Sequence, residues 1–234
     1  MSQTQKTMIQ YILTDIEGTT TSVSFVYEEL FPYFLNHLDS LLQDWDKDFV
    51  QTQIQSTQAT LSEENLPACN TQSELLEIWE KWTRQDRKHP ALKSLQGWVW
   101  EKAYQAGSIK GHLYPDVPIA FQTWKTQGLN IGIYSSGSVK AQQLLFEFSV
   151  FGDMRPFLSD YFDTQVGQKR STASYQQISQ QLGIAPENIL FLSDIEAELD
   201  AAQSANFATL QLLRPGNTPS QRHKGVENFA GIVL

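Results

Sequence analysis

Four short apolar runs, Met8–Thr14, Leu129–Tyr134, Asn188–Leu192 and Ala208–Leu213, set the tightest limit on how this chain folds. Each is dense in branched or aromatic residues and stops at polar or turn residues, the pattern of a strand buried on both faces. Tyr161–Phe162 is a weaker candidate, and Ile232–Leu234 is read as a closing strand. Helical patterns lie between them: Val117–Gln127 before Gly128, Ser138–Phe148 behind a serine N-cap, Ala173–Leu182 before Gly183, and Glu196–Ser204. Strands alternating with helices predict βαβ units and a doubly wound parallel α/β sheet.

The alternation is interrupted once. From Phe25 to Gly111 there is no convincing strand. Tyr27–Trp45 and Phe49–Thr60 have helical apolar spacing, and Leu95–Ala106 ends at Gly107. Thr71 with Glu74 three residues on makes a capping box ahead of Leu75, Ile78, Trp79 and Trp82. The expected organisation is therefore an α/β core of residues 1–24 and 112–234, with an all-helical cap of residues 25–111 inserted after the first strand. Arg214–Lys224, with Pro215, Gly216 and Pro219, is read as a surface loop, and His89 and His112 as solvated side chains.

Composition removes several function classes. The chain has 234 residues and a net charge of -9, with no run of Lys and Arg to follow a nucleic-acid backbone. The N-terminal stretch Met1–Lys6 is polar, and the apolar run after it is too short to span a membrane. A single cysteine, Cys69, permits no internal disulfide, which points to a cytoplasmic protein, expected to be monomeric. There is no Gly-rich phosphate loop and no serine-centred nucleophile elbow.

Ligands of open parallel sheets bind beyond the carboxyl ends of the strands. The first strand runs into Asp15, Glu17, Gly18 and Thr19, the second into Ser135, Ser136 and Gly137, and the third into Ser193, Asp194, Glu196 and Glu198. Carboxylates gathered at one edge repel unless a positive charge sits among them. Mg²⁺ takes oxygen ligands, commonly one or two carboxylates with substrate phosphate oxygens. Asp15 and Asp194 are the candidate carboxylate ligands, with the backbone carbonyl of Glu17 as a third. A phosphate would be held by Ser136, the Gly137 amide and the following helix N-terminus, with Ser135 as a further donor. Lys169 is the candidate for the remaining positive charge.

With these residues in order, the sequence resembles the haloacid dehalogenase superfamily of aspartate-nucleophile phosphatases. All four motifs are matched: Asp15 to Thr19, Ser136, Lys169, and Asp194 with Glu198. Within it, Asp15-Ile16-Glu17-Gly18-Thr19-Thr20 followed by Ser24-Phe25-Val26 is similar to the acireductone synthase family, the enolase-phosphatases of methionine salvage. Tyr134–Ser138, Leu95-Gln96-Gly97 and Phe191–Asp194 carry the same likeness, which spans nearly the whole chain.

The residues fit a two-step phosphoryl transfer in which Asp15 attacks phosphorus, Mg²⁺ and Lys169 neutralise the phosphoryl oxygens, and Glu17 carries the proton. The resemblance implies the substrate, 2,3-diketo-5-methylthiopentyl-1-phosphate, enolised and then dephosphorylated to acireductone. It also implies a cap that closes over the substrate, with Phe25, Trp98 and Trp100 as candidates for an apolar wall and Lys93 and Gln96 for polar contacts. Two alternatives stay open: a phosphatase of the same superfamily acting on another small monoester, and a phosphate-binding protein without catalysis.

Overall fold

The computed structural model describes residues 8–234, and the polar stretch Met1–Lys6 lies outside them. Strand β1 is Tyr11–Thr14. Helices α1 (Phe31–Asn36), α2 (Asp48–Glu63), α3 (Gln72–Arg84) and α4 (Pro90–Gln105) follow. The chain continues through α5 (Asp116–Thr126), β2 (Asn130–Tyr134), α6 (Val139–Glu147) and β3 (Asp160–Phe162). It ends with α7 (Thr172–Leu182), β4 (Ile189–Ser193), α8 (Glu196–Ser204), β5 (Ala208–Leu212) and β6 (Gly225–Val226). Met1–Val23 with Gly111–Leu234 forms one compact unit, and Ser24–Lys110 forms the other.

The first unit is a parallel sheet of order β3-β2-β1-β4-β5-β6. Every residue of β1 and β4 is buried, as expected of central strands covered on both faces. Tyr11 and Leu13 point into one core layer with Tyr134, Tyr175, Phe191 and Leu199. Elsewhere in the unit Phe121, Trp124, Phe146 and Phe229 pack ring against ring, with Trp124 and Phe229 centroids 5.3 Å apart. The connections from β1 lead outward to β2 and β3, then return across β1 to β4. The strand order thus reverses between β1 and β4, where such sheets open a crevice.

The closing strand is β6, not Ile232–Leu234, which stays outside the sheet. Lys224 O and Val226 O accept the amides of Gln211 and Leu213, so the edge is filled before the chain reaches Ile232.

In the second unit, Thr71 accepts the Glu74 amide and Glu74 Oε2 accepts the Thr71 amide, the reciprocal cap read from the sequence. The stretch read as a single helix over Tyr27–Trp45 breaks into three pieces. A wide π turn covers Phe25–Leu30, α1 follows, and a 3₁₀ segment covers Leu38–Asp44. Pro32 sits in the first turn of α1, where its ring and missing N–H disallow a regular helix running through from Phe25. His89 is buried, contrary to the sequence reading: its Nδ1 accepts the Ala91 amide at 3.2 Å and its Nε2 lies 2.8 Å from Thr60 Oγ1. No helix among the described residues is long and apolar enough to cross a membrane.

Candidate active site

The ends of β1, β2 and β4 deliver the chemistry. Register pairs Thr14 with Ile133 of β2 and with Leu192 of β4, so Asp15 lies level with Tyr134 and Ser193, and Ser135 follows one residue further on. The Asp15 amide still donates to Leu192 O at 2.9 Å, which holds the carboxylate at the sheet edge. Immediately beyond, Ile16 O accepts the amides of Thr19, Thr20 and Thr21 at 3.1, 2.9 and 2.9 Å. That knot is tight because Gly18 has φ +75, and it brings Thr19 Oγ1 to accept the Asp194 amide at 3.1 Å.

Asp15 is 2% exposed and Lys169 is 9% exposed. Lys169 Nζ donates to Asp15 Oδ1 at 2.5 Å and pairs with Glu198 Oε2 at 2.7 Å. Ser193 Oγ also donates to Glu198 Oε2, at 2.8 Å. The lysine loop is pinned from three sides. Tyr134 OH donates to Gly167 O at 2.9 Å, Ser174 Oγ to Gln168 O at 2.8 Å, and Tyr175 OH to Lys169 O at 2.6 Å.

Ser135 Oγ accepts the Gly137 amide at 3.1 Å and lies 3.3 Å from Glu17 Oε2, to which it donates. The Gly137 amide thereby closes the turn through Ser135, and Ser135 holds the half-buried Glu17. Ser136 is half-buried ahead of α6, whose N-cap Ser138 accepts the Ala141 amide. Gln142 Nε2 bridges Gly137 O and Phe162 O, at 2.9 Å each, and so fixes this loop to the end of β3.

Charge in the site is unbalanced. Burial pushes the Asp15 carboxyl well above the usual carboxylate range; Lys169 opposes this, while Glu198, Glu17 and Asp194 add to it. Burial opposes charge on Lys169, but Asp15 and Glu198 outweigh it and hold the ammonium above the ordinary lysine value. Burial, then Glu198, lift Asp194 to about 6. Four carboxylates thus share one ammonium in a largely dry site, a condition that a divalent cation relieves. No group of three or more His, Cys, Asp or Glu poised to hold a metal occurs among the described residues. The donor set read from the sequence, the Asp15 and Asp194 carboxylates with the Glu17 carbonyl, has two such side chains and falls below that count. Asp194 Oδ1 supports it, being buried without a hydrogen-bond partner.

Other expectations resolve differently. Trp98 Nε1 donates to Asp44 Oδ2 at 2.8 Å and its ring stacks on Phe49 at 4.8 Å. Trp100 Nε1 donates to Leu30 O at 2.9 Å, and Phe25 and Gln96 are buried. All of these contacts lie within the helical unit. The segment Arg214–Lys224 is not a plain surface loop. Arg214 and His223 are both buried, and His223 Nε2 sits 3.0 Å from Asp200 Oδ1. Arg214 pairs with Asp116, a connection that loop composition gave no means of reading.

Comparison with known proteins adds an independent line. Residues 9–206 match the family described as haloacid dehalogenase-like hydrolase. The chain is 44% identical over 226 residues to an enolase-phosphatase E1 of Picosynechococcus sp., covering 97% of this chain and 99% of that protein. It is 47% identical over 225 residues to an enolase-phosphatase E1 of Pseudomonas fluorescens, covering 96% and 97%. Among solved structures, the UTR4 protein of Saccharomyces cerevisiae superposes with a TM-score of 0.78 at 35% identity, covering 96% of this chain and 100% of that one. CbbY of Rhodobacter sphaeroides in complex with phosphate shares the fold, with a TM-score of 0.59 at 18% identity, covering 96% of each chain.

Proposed function

For a chain that belongs to the enolase-phosphatase E1 family of haloacid dehalogenase-like hydrolases, we propose that Asp15 is the nucleophile, Glu17 the proton carrier and Lys169 the fixed counter-charge. The protein is a phosphatase that converts 2,3-diketo-5-methylthiopentyl-1-phosphate to acireductone and phosphate, by enolisation followed by dephosphorylation. The observation that carries the residue roles is the buried Lys169, bonded to both Asp15 and Glu198 while Asp194 keeps an unpaired oxygen.

An Asp15 carboxylate oxygen attacks phosphorus, the bond from phosphorus to the substrate oxygen breaks, and Glu17 gives that oxygen its proton. Glu17, now a carboxylate, takes a proton from water, whose oxygen attacks phosphorus and releases phosphate from Asp15. Ser135 keeps Glu17 turned towards the site through both steps. Lys169 faces the charge that develops on the phosphoryl oxygens and needs no movement to do so, since Tyr175 and Glu198 already hold it. Ser136 and the start of α6 receive the phosphate. Mg²⁺ would be held by Asp15, Asp194 and the Glu17 carbonyl, and when bound it supplies further positive charge to the transferring group. The same reading places the enzyme in the cytoplasm as a monomer, with Cys69 a free thiol and no nucleic-acid partner for a chain of net charge -9.

Acid-quenched turnover tests the nucleophile. The wild type should carry one acid-stable phosphoryl group, which borohydride reduction locates at Asp15. A phosphoryl group on another residue, or none while phosphate is being released, overturns the assignment.

A further inference from the structure

Arg214 lies two residues beyond β5 and is 5% exposed despite its charge. Its Nε donates to Thr19 O at 2.9 Å, and its Nη1 and Nη2 each donate to Asp116 at 2.9 Å. The guanidinium lies 4.0 Å from the Tyr114 ring centroid, and Asp116 is held in turn by the Phe229 amide at 2.8 Å. A planar group fixed at so many points has little freedom left. What it fixes is the Thr19 peptide, whose own hydroxyl accepts the Asp194 amide at 3.1 Å.

The same turn serves Asp194 a second time. Arg214 O accepts the Asn217 amide at 3.0 Å, which folds Asn217 back towards the end of β4. Asn217 Nδ2 donates to Leu212 O at 3.2 Å and to Asp194 Oδ2 at 3.4 Å. Flipping the amide would set its oxygen against a carbonyl and a carboxylate, so its orientation is determined by its partners. Asp194 Oδ2 is therefore engaged, and Oδ1 is the oxygen left unpaired and buried.

We propose that the turn after β5 is a positioning device, in which Arg214 holds the Thr19–Asp194 contact and Asn217 selects Asp194 Oδ1 as the atom offered to the divalent cation. This rests on the reading of Asp15 and Asp194 as the cation's carboxylates. Arg214 and Asn217 bond to Thr19, Asp116, Leu212 and Asp194, and act through Thr19 and Asp194. Outer residues that orient a metal ligand typically change metal affinity by about 10–100-fold when removed.

The test is calorimetric titration of the full chain with MgCl₂, without substrate, for wild type, Asn217→Leu, Arg214→Lys and Arg214→Met. Thermal melting of each protein is followed without Mg²⁺. Asn217→Leu keeps the side chain's bulk and removes its donors. It should bind Mg²⁺ about tenfold more weakly or worse, with the melting temperature little changed and kcat recovering at high Mg²⁺. Arg214→Lys keeps the charge without the fork and should fall between wild type and Arg214→Met. Should Arg214→Met fail to fold, Asn217→Leu decides alone. Unchanged Mg²⁺ affinity in Asn217→Leu overturns the proposal, as does a lowered melting temperature with unchanged affinity. Absence of Mg²⁺ binding to the wild type overturns the cation site itself and is distinguishable from both.

Discussion

Replacing Gly18 by alanine separates two demands that meet at one residue. The first is conformational: Gly18 has φ +75, where an L-residue costs about 1–2 kcal/mol. The second is spatial. A Cβ built there lies 2.3 Å from Asp194 Oδ2 and 2.6 Å from Asp194 Cγ. Ordinary contact begins near 3.4 Å, so the Asp194 carboxylate must retreat by about 1 Å. A misplacement of that size costs on the order of 10²-fold in rate, about 2.7 kcal/mol of transition-state stabilisation. Gly183 supplies the control in the same unit: its φ is +65 and nothing lies within 4 Å of a built Cβ. Both variants should lose about 2–8 °C in melting temperature, because both bear the backbone cost. Only Gly18→Ala should lose kcat/KM, by roughly 100-fold, as measured by steady-state phosphate release. If Gly18→Ala stays within several-fold of wild type, the glycine is not there to make room for Asp194. Equal activity losses in the two variants would refute the spatial argument in the same way.

Further outcomes follow from single contacts. Asp15→Asn should release no phosphate in a continuous assay while keeping a folded circular-dichroism spectrum, since Glu198 still pairs Lys169. Thr71→Ala removes one half of the capping box and should cost about 1 kcal/mol of stability in denaturant unfolding, with kcat unchanged. Because Asp194 is raised to about 6, it is protonated below that pH, and calorimetric Mg²⁺ affinity should fall as pH drops through this value. Asp44 is held well below the usual carboxylate range, chiefly by Lys102 and then by Lys47. A depressed folded pKa stabilises at pH above the unfolded value of about 4 and is lost as pH falls below it. Asp44→Asn should therefore flatten the acid limb of the stability curve measured by thermal melting.

What could be read from the sequence follows from where the chemistry lies. Asp15 and Asp194 stand directly after buried strands and Ser136 two residues after one, so an apolar run followed by an acid or a hydroxyl marks them locally. Thr71 and Gly183 are equally local, a cap and a left-handed stop that depend on a few neighbours. Arg214 is the opposite case. Its partner Asp116 lies 98 positions away, and both the proline and glycine around Arg214 and its charge argue for solvent. Only the placement of β5 beside β4, one strand removed from β1, brings that turn beside Thr19. Tyr175 reads as an apolar residue on a helix, yet its hydroxyl ties down Lys169 O. Trp98 and Trp100, candidates for a binding wall, also donate to Asp44 and Leu30 within their own unit, partners that helical spacing does not reveal. Patterns periodic along the chain are legible, whereas polar pairs that cross it are not.

The central claim is tested most directly by incubating the purified protein anaerobically with 2,3-diketo-5-methylthiopentyl-1-phosphate and Mg²⁺, following phosphate release and enediol absorbance together. Both signals should rise for the wild type and vanish in Asp15→Asn. Hydrolysis of simple sugar phosphates with no enediol signal from the diketone would contradict the account, leaving the fold and the nucleophile but not this reaction.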